Sequence, residues 1–455
     1  MTGEKKKKSI WDNPTRIIVV SFALLILAGT VLLILPISSK SGEFTGPIEA
    51  LFTATSASCV TGLIVYDTYQ YWSRFGQVVI LLLIQLGGLG LVTLTTFFNI
   101  AIGKKLSFKR LQLAQESVSS PDTVDANHLV KMIMMLTFSF ELAGALILCI
   151  TYVPLFGGEG VFISLFLAIS AYCNAGFDVL GHTTAFASLT EYNSNPMVIL
   201  PIAFLIICGG LGFLVWQNLF TYRKTRRLLL HTQIVLIMTA VLVVFGTVAF
   251  LLFEWDNAKT IGEMGFGDKV LNSFFQSVTT RTAGYNSVDI EGTRGISKLL
   301  MIVLMFIGAA PGSTGGGIKV TTFMVLLMTI FCVTRGDDET TLRGRRISKA
   351  VVYKALAVTG IAGAAVVIAS GIIFFFGADS GHISGINALF ESVSAFGTVG
   401  LTAGVTGVSN NLARVVLILT MFIGRVGPVS LALSLAMRTV KNKHQVMPEG
   451  KILVG

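Results

Sequence analysis

Four glycines recur along the chain, and each lies ten residues after a phenylalanine. Successive glycines are 114, 108 and 116 residues apart, and none of the four turns contains Asp or Glu. Glycine readily adopts dihedrals that aim successive carbonyl oxygens at one axis, and a ring of carbonyls can replace the water shell of a monovalent cation. The turns comprise Val60, Thr61 and Gly62; Asn174, Ala175 and Gly176; Thr282, Ala283 and Gly284; and Thr398, Val399 and Gly400.

The composition places these turns in a membrane protein. Apolar residues make up 53% of the chain and charged residues 13%, with a mean hydropathy of +0.77, whereas soluble domains carry about a quarter charged residues. The net charge of +10 does not indicate nucleic-acid binding, because the basic residues form short clusters between apolar runs rather than one stripe. The five cysteines lack metal or disulfide spacing, so we interpret them as buried thiols.

The predicted fold class is an all-α membrane protein with eight spans and four re-entrant half-helices around one central pore. A span needs about 20 apolar residues, whereas the half-helices are too short to cross and end at the glycine turns. The predicted spans are 15–36, 75–102, 129–154, 197–221, 230–253, 298–334, 350–376 and 411–437. The predicted half-helices are 47–63, 161–177, 269–285 and 385–401.

The fixed period predicts four repeats of span, half-helix and span, all pointing the same way. Chance matches between glycine-rich membrane helices would not give four turns at a common period. The predicted units are an N-terminal tail 1–14, repeats 15–110, 111–227, 228–346 and 347–440, and a C-terminal tail 441–455. Lys and Arg cluster between repeats and at both ends, so both termini are predicted to be cytoplasmic, with the first span uncleaved.

The span 298–334 contains a Gly-rich stretch that cannot remain an ordinary helix. Irregular backbone at membrane depth must line a cavity or be buried in protein, so we expect a movable gate loop at 308–317. A nucleotide-binding P-loop is the alternative, but Ile318 interrupts the motif and no strand precedes it. Arg425, at the matching depth of repeat four, is predicted to contact this loop and add an electrostatic barrier, and simple structural anchoring is the alternative. The predicted gate residues are Gly308, Gly312, Ser313, Thr314, Gly315, Gly316, Gly317 and Arg425.

Two further polar residues are predicted to have structural roles. Arg281 precedes the third glycine by three residues, and we interpret it as a strut behind the turn, because a cation beside the axis would repel an ion. Glu141 lies inside the third span, and its partner is not readable from the sequence.

The strings VTGL, NAGF, TAGY and TVGL, the four repeats and the Gly-rich stretch resemble the TrkH/TrkG/KtrB superfamily of potassium transporters over almost the whole chain. With a tail of 14 residues before repeat one, the chain is most similar to the KtrB branch. This resemblance implies potassium translocation through a carbonyl-lined selectivity filter in a bacterial plasma membrane, stimulation by sodium and a homodimer. It also implies a cytosolic RCK-type (KtrA-like) ring that carries the nucleotide, with K+ transported and no other cofactor.

The sequence argues against three other functions. A sodium-coupled secondary transporter with alternating access often uses inverted repeats, whereas these repeats point the same way and only one span is predicted to be broken. A voltage-gated channel needs Arg-rich sensor helices, which the sequence lacks. No catalytic motif indicates an enzyme.

Overall fold

The computed structural model describes residues 14–90, 126–377 and 383–427, and helices dominate these ranges. A two-stranded hairpin of β1 (Thr341–Leu342) and β2 (Arg345–Arg346) is antiparallel. Helices of at least 12 residues in these ranges are α1 Pro14–Ile34, α2 Pro47–Ser58, α3 Arg74–Leu89, α4 Ala126–Phe156, α5 Gly158–Tyr172, α6 Pro196–Gly210, α7 Phe213–Thr225, α8 Leu230–Glu254, α9 Phe266–Thr279, α10 Gly295–Phe306, α11 Val320–Thr334, α12 Lys349–Phe376, α13 Gly385–Gly397 and α14 Asn411–Val426.

The long helices have the length and composition of membrane spans. Within the described ranges, α1, α4, α8 and α12 are long and apolar enough to cross a bilayer, and the pair α6 and α7 would make a fifth span. Shorter apolar helices complete the set, among them α3, α10 and α11. The apolar side chains on their outer faces, such as Leu24, Leu142 and Val244, are more than half exposed, as a lipid-facing surface requires.

Each long helix is followed by a half-helix that turns back before crossing the membrane. The half-helices α2, α5, α9 and α13 have 12, 15, 14 and 13 residues, which is too short for a span. Proline begins α2, where its missing N–H costs nothing. The predicted half-helices therefore exist, and each stops a few residues before its glycine turn.

Glycines let the second helix of three repeats lie directly against the end of the half-helix. A Cβ at Gly87, Gly209 or Gly424 would lie 2.0, 1.9 or 1.9 Å from a backbone carbonyl oxygen. These oxygens belong to Ser58, Tyr172 and Phe396, each four residues before a turn glycine. Only glycine permits this close approach. The second helix of the repeat therefore fixes the position of the half-helix end and of the turn that follows it.

Polar side chains at one end of the second helices join successive repeats. In each contact, a cationic side chain near the start of the second helix of one repeat reaches the first turns of the half-helix in the following repeat. The contacts are Arg74 Nη2 to Glu159 Oε1 at 2.8 Å, Lys298 Nζ to Asn387 Oδ1 at 3.2 Å, and Arg414 Nη1 to Glu49 Oε1 at 2.7 Å. They join repeats one to two, three to four and four to one.

The Glu49–Arg414 pair closes the junction between the first and last repeats. Its side chains are only 18% and 17% exposed, so water screens the pair less than it screens a surface pair. We expect Glu49→Gln to lower the free energy of unfolding by about 1 kcal/mol. The thermal midpoint in detergent measures this, with Asp256→Asn as control, because Asp256 pairs with Arg294 at an exposed site. Equal midpoints for the two variants would contradict the prediction.

The prediction that only one span is broken is wrong. Helices α6 and α7 were expected to form one span, 197–221, but they meet at 92°. The break falls at Gly212, whose dihedrals of φ 88° and ψ 146° no helix accommodates. Gly90 and Gly427 end α3 and α14 with similar values. The second helix thus ends at an equivalent glycine in three repeats, and in repeat three the Gly-rich loop takes this place.

Several predictions fall outside the described residues. These are most of the N-terminal tail 1–14, positions 91–102 of the second predicted span, the boundary at 110, positions 428–437 of the last span and the tail 441–455. The domain boundaries stay predictions.

Candidate functional site

The four glycine turns share one unusual backbone conformation. The residue two positions before each glycine has a positive φ, as does the glycine itself. Three of these non-glycine residues are β-branched, for which a positive φ is a genuine outlier. Such strain persists only where the surroundings impose it, and it clusters at functional sites. The values are 58° at Val60, 59° at Asn174, 71° at Thr282 and 49° at Thr398, followed by 96° at Gly62, 71° at Gly176, 85° at Gly284 and 94° at Gly400.

The four glycines touch one another in a closed ring. A Cβ added to any of them would lie within 2.6 Å of the carbonyl oxygen that precedes the glycine of the next repeat. The distances are 2.5 Å from Gly62 to Ala175 O, 2.6 Å from Gly176 to Ala283 O, 2.4 Å from Gly284 to Val399 O and 2.1 Å from Gly400 to Thr61 O. The last contact returns to the first repeat, so the four turns surround a single axis. We call these four turns, with three residues each, the glycine ring.

Hydroxyl groups of the half-helices hold the ring from behind. Ser56 accepts a hydrogen bond from the Gly62 N–H at 3.0 Å, and Ser394 accepts one from the Gly400 N–H at 3.1 Å. In repeat two, Ser170 donates to Phe177 O at 2.7 Å. Repeat three has Val278 at the matching position. The backbone N–H groups therefore point away from the axis in at least two turns, and carbonyls are left for a ligand.

The electrostatics of the ring favour a cation. All twelve ring residues are buried, and the C-terminal ends of the four half-helices, which carry partial negative charge, lie next to them. Within the described ranges no group of three or more His, Cys, Asp and Glu residues could hold a metal ion. An ion in the ring would thus be bound by backbone oxygens and helix dipoles rather than by carboxylates.

The Gly-rich loop lies directly against the inner side of the ring. The Thr314 hydroxyl lies 3.2 Å from Tyr172 O and 3.3 Å from the Asn174 amide. A Cβ at Gly315 would lie 2.1 Å from Thr282 Oγ1, and one at Gly316 would lie 2.3 Å from Thr398 Oγ1. The loop thus contacts three of the four strained residues. Its role as a gate stays a prediction.

Backbone hydrogen bonds anchor the loop at both ends. The Gly308 N–H donates to Ile318 O at 2.8 Å, and this hydrogen bond joins the two ends of the loop. The Ala310 N–H donates to Gly210 O at 3.0 Å, and the Phe213 N–H donates to Gly312 O at 2.8 Å. The latter two contacts lie on either side of the α6–α7 bend, so this break provides the free backbone groups that the loop needs.

Arg425 connects the loop to the first repeat. Its Nη1 donates to Thr314 O, while its Nη2 donates to Gly87 O and lies 3.3 Å from Gly88 O. The predicted contact with the loop is therefore present in the structure. All three acceptors are backbone carbonyls, which a guanidinium reaches with its fixed fork of donors. Gly87 and Gly88 were not expected as partners.

Three further polar residues have defined surroundings in the structure. The Lys319 Nζ donates a hydrogen bond to Gly315 O at 2.7 Å and so stabilises the conformation of the loop. Glu141, whose partner the sequence could not show, accepts from Gln85 Nε2 at 3.0 Å. Arg281 lies next to the third turn and is 7% exposed, and its role as a strut stays a prediction.

Glu391, which lies beside the chain that leaves the fourth turn, was not expected from the sequence. This carboxylate is fully buried in α13 and accepts from Thr402 Oγ1 at 2.9 Å and from the Ala403 N–H at 3.3 Å. It also accepts from Thr406 Oγ1. Glu391 thereby fixes the chain that leaves Gly400. A lone acid within an apolar half-helix was the signal available, because the other repeats have Thr53, Leu167 and Phe275 there.

The contact of Gly315 with Thr282 leads to a prediction about the loop. Gly315→Ala would place its methyl 2.1 Å from Thr282 Oγ1 and 2.7 Å from Ala309 Cβ, so the loop must move away from the ring. We expect the ion flux of the closed protein to rise by about threefold or more, since overpacking costs about 1–3 kcal/mol. Flux into proteoliposomes measures this. Gly363→Ala is the control, because no atom lies within 4 Å of its Cβ, and equal fluxes would contradict the prediction.

The family model of TrkH, described as "Cation transport protein", matches residues 2–444. The Ktr system potassium uptake protein B of Bacillus subtilis is 39% identical, and the match covers 100% of both chains. The potassium/sodium uptake protein NtpJ of Enterococcus hirae is 37% identical, again over 100% of both chains. The crystal structure of the potassium transporter TrkH from Vibrio parahaemolyticus has a TM-score of 0.71 at 18% identity, covering 96% of this chain and 87% of that one.

The fold defines a multi-pass membrane protein of the transporter class. The chain belongs to the TrkH family of cation transport proteins, because the family model matches nearly all of it. Its full-length relatives are ion transporters, and it is not an enzyme.

Proposed function

We propose that this protein conducts potassium ions across a bacterial plasma membrane through the glycine ring, with the Gly-rich loop as the gate. The observation that carries the proposal is the closed circle of glycine contacts, in which each turn touches a carbonyl of the next. A ring of backbone carbonyls without carboxylates suits a large monovalent cation. Relatives named for potassium uptake support the choice of ion.

The gate proposal rests on the contacts beneath the ring. Thr314, Gly315 and Gly316 touch three of the four turns, so the loop is placed to obstruct the axis. It has few side chains of its own to pack. Glycine-rich backbone can change its dihedrals at low cost, so the loop can move while the helices stay fixed. Arg425 holds it closed through a hydrogen bond and adds a positive charge beneath the ring.

A cytosolic partner and a dimer complete the proposal. The name "Ktr system" of the relatives indicates several components, and the resemblance suggests an RCK-type ring that binds a nucleotide. Exposed basic residues end α7 and occupy the β1–β2 hairpin, among them Arg226, Arg343 and Arg345. We propose that they face the cytoplasm and meet that partner. Sodium is proposed as an activator, and the name of NtpJ includes it.

The experiment is potassium uptake in bacteria that lack their own uptake systems, at low external potassium. Expression of this chain with an RCK-type partner is expected to restore uptake and growth. An empty vector and the partner alone are the controls. If membranes contain the chain and its partner but take up no potassium, the choice of ion is wrong, and a sodium-coupled transporter with alternating access becomes the better account.

A further inference from the structure

Arg281 occupies a position at which the four repeats differ in charge. Three residues before the ring glycine, repeats one and two have Cys59 and Cys173, and repeat four has Gly397. Only repeat three places a cation there. Arg281 directly precedes Thr282, which is one of the strained residues of the ring. Its backbone therefore belongs to the ring wall, and its side chain extends behind it.

The guanidinium is buried without a compensating acid. Arg281 is 7% exposed, and its Nε has no hydrogen-bond partner. Within the described part of the chain, Arg281 takes part in none of the ion pairs. A buried charge normally lies beside an opposite charge, because removing it from water is costly. The positive charge of Arg281 is therefore not cancelled locally.

A small cavity adjoins this side chain. Its volume is about 10 Å³, and it is lined by Arg281 and Thr239, by apolar side chains of α6 and α9, and by backbone of the gate loop at Ala309. Thr239 Oγ1 also has no hydrogen-bond partner in the described residues. A cavity of this size has room for one water molecule. One water can form hydrogen bonds with both Arg281 Nε and Thr239 Oγ1. Because water is neutral, it does not cancel the positive charge of Arg281.

We propose that the uncompensated charge of Arg281 sets the affinity of the glycine ring for potassium. Conduction requires a site that binds an ion strongly enough to admit it and weakly enough to release it. The ring oxygens and four half-helix ends attract the cation, and Arg281 opposes them from behind one wall. The inference rests on the proposed potassium pathway and adds to it the residue that limits ion binding.

The expected effect is large because Arg281 is only 7% exposed, so bulk water screens its charge little. Two like charges about 10 Å apart, at an effective dielectric constant of about 20, change an equilibrium constant roughly tenfold. A neutral residue at position 281 should therefore tighten potassium binding by about five- to tenfold. The maximal rate should fall at the same time, because a tightly held ion leaves slowly. A residue that merely supports the ring would instead weaken binding when it is replaced.

The test measures the half-saturating potassium concentration and the maximal rate of uptake, with full-length protein and its partner in proteoliposomes. Arg281→Met removes the charge and keeps an unbranched chain, whereas Arg281→Lys keeps the charge. We expect Met to lower half-saturation five- to tenfold and Lys to remain within twofold of the unmodified protein. Arg281→Cys, the residue of repeats one and two, is the second neutral variant should Met not fold. Arg294→Met removes an exposed cation that pairs with Asp256 and is expected to change nothing.

The outcomes separate this inference from the proposed function. If the unmodified protein takes up no potassium, the proposed function fails. If it takes up potassium but Met and Lys behave alike, or the neutral variants bind potassium more weakly, Arg281 is a structural support and the inference is overturned. A half-saturation that shifts when chloride is replaced by gluconate would also overturn it, because an anion would then neutralise the guanidinium.

Discussion

Gly400→Ser is expected to lower the preference for potassium over sodium by about tenfold or more. Its Cβ would lie 2.1 Å from Thr61 O and 2.9 Å from Gly62 Cα, both backbone atoms of the ring. The residue would also have to adopt a φ of 94°, which costs a side-chain-bearing residue about 1–3 kcal/mol. Because each turn touches the next, the displaced carbonyl of Thr61 disturbs two repeats. Uptake of potassium in competition with sodium measures the change.

The control for this substitution lies seven residues further along the same repeat. Gly407→Ser introduces the same side chain where no atom lies within 4 Å and is expected to keep the ion preference. A Gly400→Ser protein that reaches the membrane and discriminates as well as Gly407→Ser would show that the ring does not select the ion.

Arg425→Ala is the second substitution with a large expected effect. It removes the hydrogen bond to Thr314 O that holds the loop under the ring, together with the bonds to Gly87 and Gly88. A hydrogen bond from a charged donor contributes about 1.5–3 kcal/mol, so the closed conformation should lose about tenfold or more in population. We expect potassium flux to rise severalfold, both because the loop opens more often and because a positive charge leaves the path. Flux through purified protein without its partner measures this.

Arg425→Lys separates charge from geometry. Lysine keeps the positive charge but cannot reach Thr314 O and Gly87 O at once as a planar fork does, so an intermediate flux is expected. Unchanged or lower flux through Arg425→Ala, with the protein folded, would count against the barrier.

The ring could be predicted from the sequence because each turn requires a glycine, which is a local feature of the sequence. Glycine at a fixed period marks the four turns, and the apolar segments before them predict half-helices close to those observed, such as 385–401 for Gly385–Gly397. The strain two residues earlier could not be predicted. Valine and threonine disfavour a positive φ, so nothing in the side chains of Val60 or Thr398 signals it. The neighbouring repeats impose that conformation.

The Gly-rich loop between α10 and α11 was predicted from the sequence, but its contacts with other parts of the chain were not. Its glycines and proline exclude a helix, and Arg425 at the matching depth indicated the contact. The break at Gly212 was not predicted, because glycine is common in membrane helices and the run 197–221 is apolar throughout most of its length. Only the tertiary structure shows that the free backbone groups at this bend bind the loop.

The most direct measurement is the position of a heavy potassium analogue in the protein. Crystals grown in rubidium or thallium salts would locate the ion by its anomalous scattering. The proposed pathway predicts a peak on the axis, surrounded by the carbonyl oxygens of Thr61, Ala175, Ala283 and Val399. A ring that stays empty while the ion occupies another site in the membrane would contradict the assignment of the glycine ring as the selectivity filter.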